Sequence, residues 1–410
     1  MGLPGAVQAA PARPSALVPR GEDEAMTDHP ISGGAATFKP GGGLQVRSAD
    51  GRFSLRVSLW GQLRLTANHN QVPAMGAPNP GAGLELTRAR LIVAGEMFSK
   101  DIHYLAHLMF APKDLGFKDG VATRAPIFVW LTSYTRFKNA NLQAGFFFIP
   151  YSRQRLTLAN AWQMLENSSA SYEFTLAQDI GVQVSSPDIG GLGLLRYSAG
   201  IFSGEGFDWA RSTDTGFNYA ARLEFLPLGM FQDYAEADFE RRRTPRLALA
   251  LAYAFSDRDH QNRAVAGTPF ADGGTMSAHN LTADLMFKWS GLSFLADFYL
   301  RDGWRQPGSL KAMDGTPITT QAARNGVGWT TQMGLLLPRT RFEVVGRFSG
   351  IRPLKQVPTS LTRQDETGAG LNYYFYRHAL KLQLDYIHTW GPGRPTGRSD
   401  QLRLQLQAIF

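Results

Sequence analysis

Thirty-three arginines against nine lysines are the residues of this 410-residue chain best equipped to do chemistry. A guanidinium stays charged in any surroundings and grips an oxyanion with a planar fork, whereas an ammonium is a point charge. The bias favours the handling of oxyanions. A basic nucleic-acid binder would share the formal net charge of +8 and the pI near 9.7, so composition does not choose between the two. Spacing does. Arg56, Arg64, Arg88, Arg90, Arg301, Arg347 and Arg403 recur at alternate positions of separate stretches rather than in one block. In a strand, alternate positions share a face, so these cations line a wall instead of forming a surface patch that grips a phosphate backbone.

A lined wall can work in two ways. Rings of arginine are how anion pores select; alternatively, each arginine pairs with a neighbouring carboxylate and stiffens the sheet. Arg222 with Glu224, Arg341 with Glu343, and Arg88 and Arg90 with Glu96 share faces and suit pairing. Arg56, Arg64 and Arg403 have no acid on their own strand, which leaves contact with a solute equally open.

Other chemistries fall away. Cysteine is absent, which excludes disulfide frameworks, Cys-ligated zinc and thiol catalysis together. His103 and His107 lie four apart in an alternating stretch, ~13 Å on a strand and too far to share one metal ion. Asp257-Arg258-Asp259-His260 reads as a solvated loop rather than a cation site. There is no Gly-x-Ser-x-Gly, and His279-Asn280 lacks a nearby Ser-Asn pair, so no nucleophile, base and orienting group converge. No enzyme activity, cofactor or metal is expected. Trp130, Trp289, Trp304, Trp329 and Trp390 lie near strand ends, as interfacial girdle residues do, in preference to a sugar-guiding track.

The elements that must position these arginines are strands. In Gln401–Phe410, Leu402, Leu404, Leu406, Ala408 and Phe410 share one face, and Gln401, Arg403, Gln405 and Gln407 the other. Similar alternation begins at Phe53 and recurs near 84–98, 101–110, 125–137, 140–149, 178–186, 192–203, 216–226 and 246–256. It continues near 278–289, 291–301, 326–337, 341–350, 366–376 and 379–390, giving about sixteen strands. Short links at Ser99-Lys100, Lys138-Asn139, Ser290-Gly291, Pro338-Arg339-Thr340 and Arg377-His378 alternate with long polar ones. A membrane barrel with short periplasmic turns and long outer loops has that alternation; a sandwich does not. The link near 227–245 is the exception, long where a short turn is due. Charged residues fall almost entirely on one face, as they must where Arg or Lys exposed to lipid at mid-membrane costs ~2–4 kcal/mol. Ala248, Ala250, Ala252 and Ala254 make that inner face small, which suits a place where another piece of chain packs inside the wall. No apolar run approaches the ~20 residues of a membrane helix. The mean hydropathy of -0.21 is compatible with strands that alternate.

Local runs then carry a resemblance. They are Thr87-Arg88-Ala89-Arg90-Leu91 leading to Gly95, Ala144-Gly145-Phe146-Phe147-Phe148-Ile149-Pro150-Tyr151-Ser152, Asp179-Ile180-Gly181-Val182-Gln183-Val184, and Tyr197-Ser198-Ala199-Gly200-Ile201-Phe202-Ser203-Gly204. In this order, before a terminal Phe410, they resemble the phosphate-selective outer-membrane porins over roughly Gly51 to Phe410. The resemblance implies a sixteen-stranded, usually trimeric channel whose long loop after the fifth strand folds inward as a constriction. That loop would be Pro150–Leu176, placing Arg153 and Arg155 at the constriction. The family's mouth lysines are matched poorly, since Lys113, Lys118, Lys311 and Lys355 scatter over three loops.

The expectation is therefore an all-β protein: a transmembrane antiparallel β-barrel of about sixteen strands with one long loop folded into the lumen. Residues 1–47 are expected to be a flexible arm, with a signal-like Ala6–Ala10 and a linker-like Leu17–Gly21, and 48–410 the barrel. The expected function is passive passage of anions, with phosphate and related oxyanions as the expected class, past Arg153, Arg155 and the wall arginines. A general diffusion porin with paired arginines, or a non-conducting adhesin or docking barrel, are the alternatives. Expected partners are small anionic solutes, outer-membrane lipid or lipopolysaccharide, and two further copies in a homotrimer, in the outer membrane of a Gram-negative bacterium.

Overall fold

A computed structural model describes residues 29–31, 34–70, 81–118, 121–208, 216–392 and 397–410. The signal-like and linker-like stretches lie outside the described residues. Sixteen antiparallel strands make the wall. They are β1 Ser54–Asn70, β2 Ala82–Met97, β3 Ser99–Met109, β4 Ile127–Tyr134, β5 Asn141–Phe148, β6 Gln178–Ser186, β7 Leu195–Phe202 and β8 Asn218–Phe225. The second half comprises β9 Arg246–Asp259, β10 Thr275–Trp289, β11 Leu292–Gln306, β12 Gly326–Leu336, β13 Phe342–Pro353, β14 Gln364–Tyr376, β15 Leu380–Trp390 and β16 Arg398–Ile409. Each strand pairs with the next, and β16 pairs with β1 from Ser399 opposite Asn70 to Ile409 opposite Trp60. Closure leaves the wall no open edge, which a structure surrounded by hydrocarbon cannot tolerate.

The faces are inverted relative to a water-soluble protein. Leu404 and Leu406 are 38 % and 43 % exposed, while Gln405 and Gln407 between and beside them are 1 % and 0 %. Apolar side chains outside and polar ones inside require lipid as the outer solvent, so this is a transmembrane barrel. Trp130, Trp289 and Trp304 are exposed on that outside. β2 carries a bulge: Gln62 faces Arg88 but Leu63 faces Leu86, leaving Thr87 as the extra residue. The bulge keeps Arg88 and Arg90 inward although Leu84 and Leu86 point out. Asp257 and Asp259, expected in a loop, belong to the end of β9, and the chain runs on extended through Gln261–Pro269.

One expectation needs correction. The stretch 1–47 is not an arm throughout, because Gly34–Lys39 and Gly43–Ser48 form a hairpin. Its second strand pairs with β1, Leu44 to Arg47 lying opposite Val57 to Ser54. Gly41 donates to the Ile409 carbonyl at 3.2 Å, and Leu59 and Phe410 exchange backbone bonds. The hairpin thus occupies the edge of β1 that extends past the end of β16, where alternation in Gly34–Ser48 is too short to read as a strand from sequence.

Removing residues 34–48 should leave the barrel able to close, because the β1–β16 pairing from Trp60 to Asn70 is untouched. The folded form should nevertheless lose heat resistance by several degrees, read as the temperature at which the compact band in detergent electrophoresis disappears. An unchanged temperature would mean that the hairpin does not protect the β1 edge.

Candidate functional site

The long link after β5, residues 149–177, enters the barrel and crosses its lumen. Its backbone turns through α1, Arg153–Leu156, a single 3-10 turn at Ala159–Ala161, and α2, Ser169–Phe174. The wall strands it meets have small inward residues. A Cβ on Gly328 would come within 2.6 Å of Phe174, one on Gly334 within 2.0 Å of the Gln163 amide, and one on Gly370 within 2.9 Å of the Met164 sulfur. Ala252 and Ala254 share a buried cluster with Tyr151, Phe174 and Tyr299. The alanine face on β9 anticipated this; the glycines on β12 and β14 carried the same signal.

The link near 227–245 is the second insert, and its length now has a reason. It enters from the short-turn end and meets the first insert inside. Glu236 donates its backbone N–H to the Ala161 carbonyl at 3.1 Å, and its carboxylate accepts from the Gln163 N–H at 2.7 Å. Gln332 bonds both Glu236 and Gln163. Leu226, Met230 and Phe231 pack on Ala248, Met286 and Leu295. Lys288 holds the Gln232 and Ala237 carbonyls.

Arginine and carboxylate then decide where the charge goes. Arg153, expected to face the solute, is fully buried: its Nε donates to Asp284 at 2.7 Å, and its guanidinium meets Asp233 at 2.5 Å and Glu224 at 3.5 Å. Arg222 closes the cage through Asp284 and the Tyr151 carbonyl, both at 2.6 Å, and Arg196 binds Glu224 and Asp233. That cage rivets the start of the loop to β8, β10 and the second insert. At the loop's far turn, Glu166 is held by Arg64 at 2.7 Å and Arg88 at 3.0 Å, which keep its carboxyl well below the usual range despite burial. Arg347 bonds the Glu166 carbonyl and Glu366. Arg403 forks onto Asp385, whose carboxylate also accepts from the Leu165 N–H. Arg301 and Arg324 share Glu173. Arg90 forks onto Asp114 and lies 3.7 Å from the centroid of Phe128.

Seven of the nine arginines singled out from sequence are therefore committed to carboxylates. Two are not. Among the described residues, Arg56 forms no ion pair and is half-buried on the inner face of β1. Arg155 donates to the neutral Gln178 side chain at 2.7 Å and lies 5.3 Å from the Phe148 centroid, with its Nε buried and unpartnered. Burial first, then Arg90, Arg88 and Arg124, push its guanidinium down to about 10; Glu166 is the acid that opposes them. A positively charged strip results. It runs from exposed Lys113, 3.7 Å from Glu166, through Arg88, Arg155 and Arg90 along β2 toward Arg56, which lies opposite Ala94. Elsewhere in the lumen most arginines are bound to carboxylates, though Arg301 and Arg324 share one. The loop's own carboxylates went unremarked in the sequence, although Glu166 and Glu173 are the acids of an otherwise uncharged-or-basic loop.

His103 bonds Thr135, while His107 packs edge-on against Phe128. Among the described residues, no three histidines or carboxylates gather as a metal ion would need.

No family model and no curated protein matches the sequence. Solved structures do match in fold. The anion-selective porin from Comamonas acidovorans superposes with a TM-score of 0.56 at 10% identity, covering 87% of this chain and 100% of that one. The outer-membrane channel DcaP of Acinetobacter baumannii gives 0.56 at 9% identity over 89% and 99%. OmpT of Vibrio cholerae, in its trimer form, gives 0.54 at 9% identity over 87% and 99%. The fold is that of the outer-membrane porins.

Replacing Arg153 with alanine leaves Asp233 and Asp284 short of a counter-charge in a dry site, and should cost about 3–5 kcal/mol. Replacing Arg155 with alanine removes a bond to a neutral amide, worth about 1 kcal/mol. Urea unfolding of the two variants in lipid should separate them by at least that difference; equal losses would refute the division between rivet and uncommitted cation.

Proposed function

We propose that this outer-membrane barrel is a porin, a passive diffusion channel for small solutes with a preference for anions. The observation that carries the reading is Arg155: a guanidinium at the loop, with cationic neighbours and no carboxylate bonded to it. An anion passing there relieves repulsion instead of adding it, and its hydration is replaced by the planar donors of an arginine. Phosphate and similar compact oxyanions are within the class such a fork accepts. The preference is local and moderate, because the other loop arginine, Arg153, is enclosed by acids, as are most of the wall arginines. A lumen-long arginine ladder is thus replaced in this proposal by one strip beside β1 and β2. The fold likeness to an anion-selective porin supports the direction of the preference. Assembly as a homotrimer belongs to the same proposal, supported by the trimer form of the Vibrio cholerae neighbour. Expected surroundings are outer-membrane lipid and lipopolysaccharide, and no catalytic step or cofactor is assigned.

A general diffusion porin is the second reading, favoured by the extent of arginine pairing. Reversal potentials in a planar bilayer under a KCl gradient decide between them. Anion preference in the parent, reduced several-fold by Arg155→Gln, with chloride current blocked by added phosphate, is the expected result. Anion preference without block would remove phosphate from the proposal. A potential near zero or of cationic sign would refute anion preference, and absence of conductance would favour an adhesin or docking barrel.

A further inference from the structure

The short-turn end of the barrel carries an excess of exposed cations. At the long-loop end some exposed ions pair, as Lys113 does with Glu85 and Arg258 with Asp257, whereas Arg124, Lys311 and Lys355 have no ion pair among the described residues. At the short-turn end the exposed ions are mostly cations. Arg52, Lys100, Arg136, Lys138, Arg339 and Arg341 are all exposed there, whereas the acids of those turns and of the second insert that reach the surface are few: Asp50, Asp101, which pairs with Arg136 at 3.3 Å, Asp188, and Glu240, which pairs with Arg242. Asp233, Glu236 and Asp238, which would balance them, are buried inside the barrel. Burying the acids of the second insert in the lumen leaves the Arg242-Arg243 side of that insert outside and adds to the excess.

These cations are interleaved with outward aromatics. Arg52 precedes Phe53, Lys100 follows Phe98 by two residues, Phe137 lies between Arg136 and Lys138, and Arg341 precedes Phe342. The four rings are 41–63 % exposed. An amphipathic ring beside a cation is the composition of the headgroup layer, where the ring reaches the acyl boundary and the charge reaches phosphate. Backbone geometry adds an independent observation. Arg339 occupies a left-handed position with φ of 59°, and Arg377 one with φ of 41°. Glycine or asparagine holds that conformation with less strain. Strain retained at a turn points to a use for the side chain.

We propose that the short-turn rim of the barrel is a binding surface for anionic phospholipid headgroups in the leaflet it adjoins. The phosphates of those headgroups lie at the level of the interleaved rings, and their net charge matches the excess on the rim. A cation near an anionic leaflet is worth enough to enrich such a lipid about five-fold. The effect is independent of conduction, since the rim cations lie outside the lumen.

The test is native mass spectrometry of the full chain released from nanodiscs of mixed phosphatidylglycerol and phosphatidylcholine. Retained phosphatidylglycerol should exceed phosphatidylcholine several-fold, and the excess should fall as salt rises. A variant carrying Arg136→Gln, Lys138→Gln and Arg339→Gln should lose it. Lys311→Gln with Lys355→Gln, at the other end, should keep it. Heat-modifiability in detergent electrophoresis confirms that each variant is folded. Equal retention of the two lipids by the parent, or an excess that survives in the rim variant, would overturn the proposal. So would loss of the excess on adding inorganic phosphate at the concentration of lipid headgroup, because the rim would then be a free-phosphate site.

Discussion

A guanidinium taken out of bulk water needs a counter-charge within reach, and the interior of this barrel is organised by that need. Arg153 draws Asp284 from the wall and Asp233 from a different insert to one point. Arg64 and Arg88 hold Glu166 against β1 and β2, and Arg301 and Arg324 hold Glu173 where the loop returns. Without these pairs packing alone would have to hold the loop to one path across the lumen. With them it is fixed at its start, its far turn and its return. Such pairs contribute modestly to net stability, because desolvation offsets their attraction. Their larger effect is to make any other path leave a buried charge alone.

That arrangement explains what was legible in the sequence and what was not. The wall was legible because strand faces repeat every two residues and lipid punishes a misplaced charge, so Arg403 and Leu404 announce their own directions. The inward loop was placed by its resemblance to a family. The pairing of Arg64 and Arg403 was not legible, because their partners come from other parts of the chain. Glu166 is 102 residues from Arg64, and Asp385 sits on the neighbouring strand, 18 residues before Arg403. Looking for acids on the same strand missed both. The same locality made Arg153 and Arg155 look alike, although two residues on a one-turn helix face different surroundings.

The first insert shows how packing requirements surface as composition. A wall strand meant to line open water can carry large polar residues at every inward position. β12 instead presents Gly328 and Gly334 inward, and β14 presents Gly368 and Gly370, with atoms of the insert within 2.0–3.1 Å of the missing Cβ at each. Glycine and alanine at alternating positions of a barrel strand therefore mark occupied space, in the same way that alternating arginine marks charge. Read together, the two patterns separate a filled side of the lumen, along β9 to β14, from the charged strip beside β1 and β2.

The N-terminal hairpin has a bearing on how the cylinder is assembled. It covers Ser54 to Val57 of β1 and leaves Trp60 onward as the sole length of that edge open to a partner. A terminal strand arriving there cannot slide toward the short-turn end, because the hairpin already fills the next rungs. Sliding is the common error of alternating strands, since a one-residue shift exchanges their faces and a two-residue shift preserves them. The hairpin blocks the two-residue error in one direction, the kind that hydrophobic patterning cannot detect. It acts as an end-stop that tells the last strand where the ring is complete.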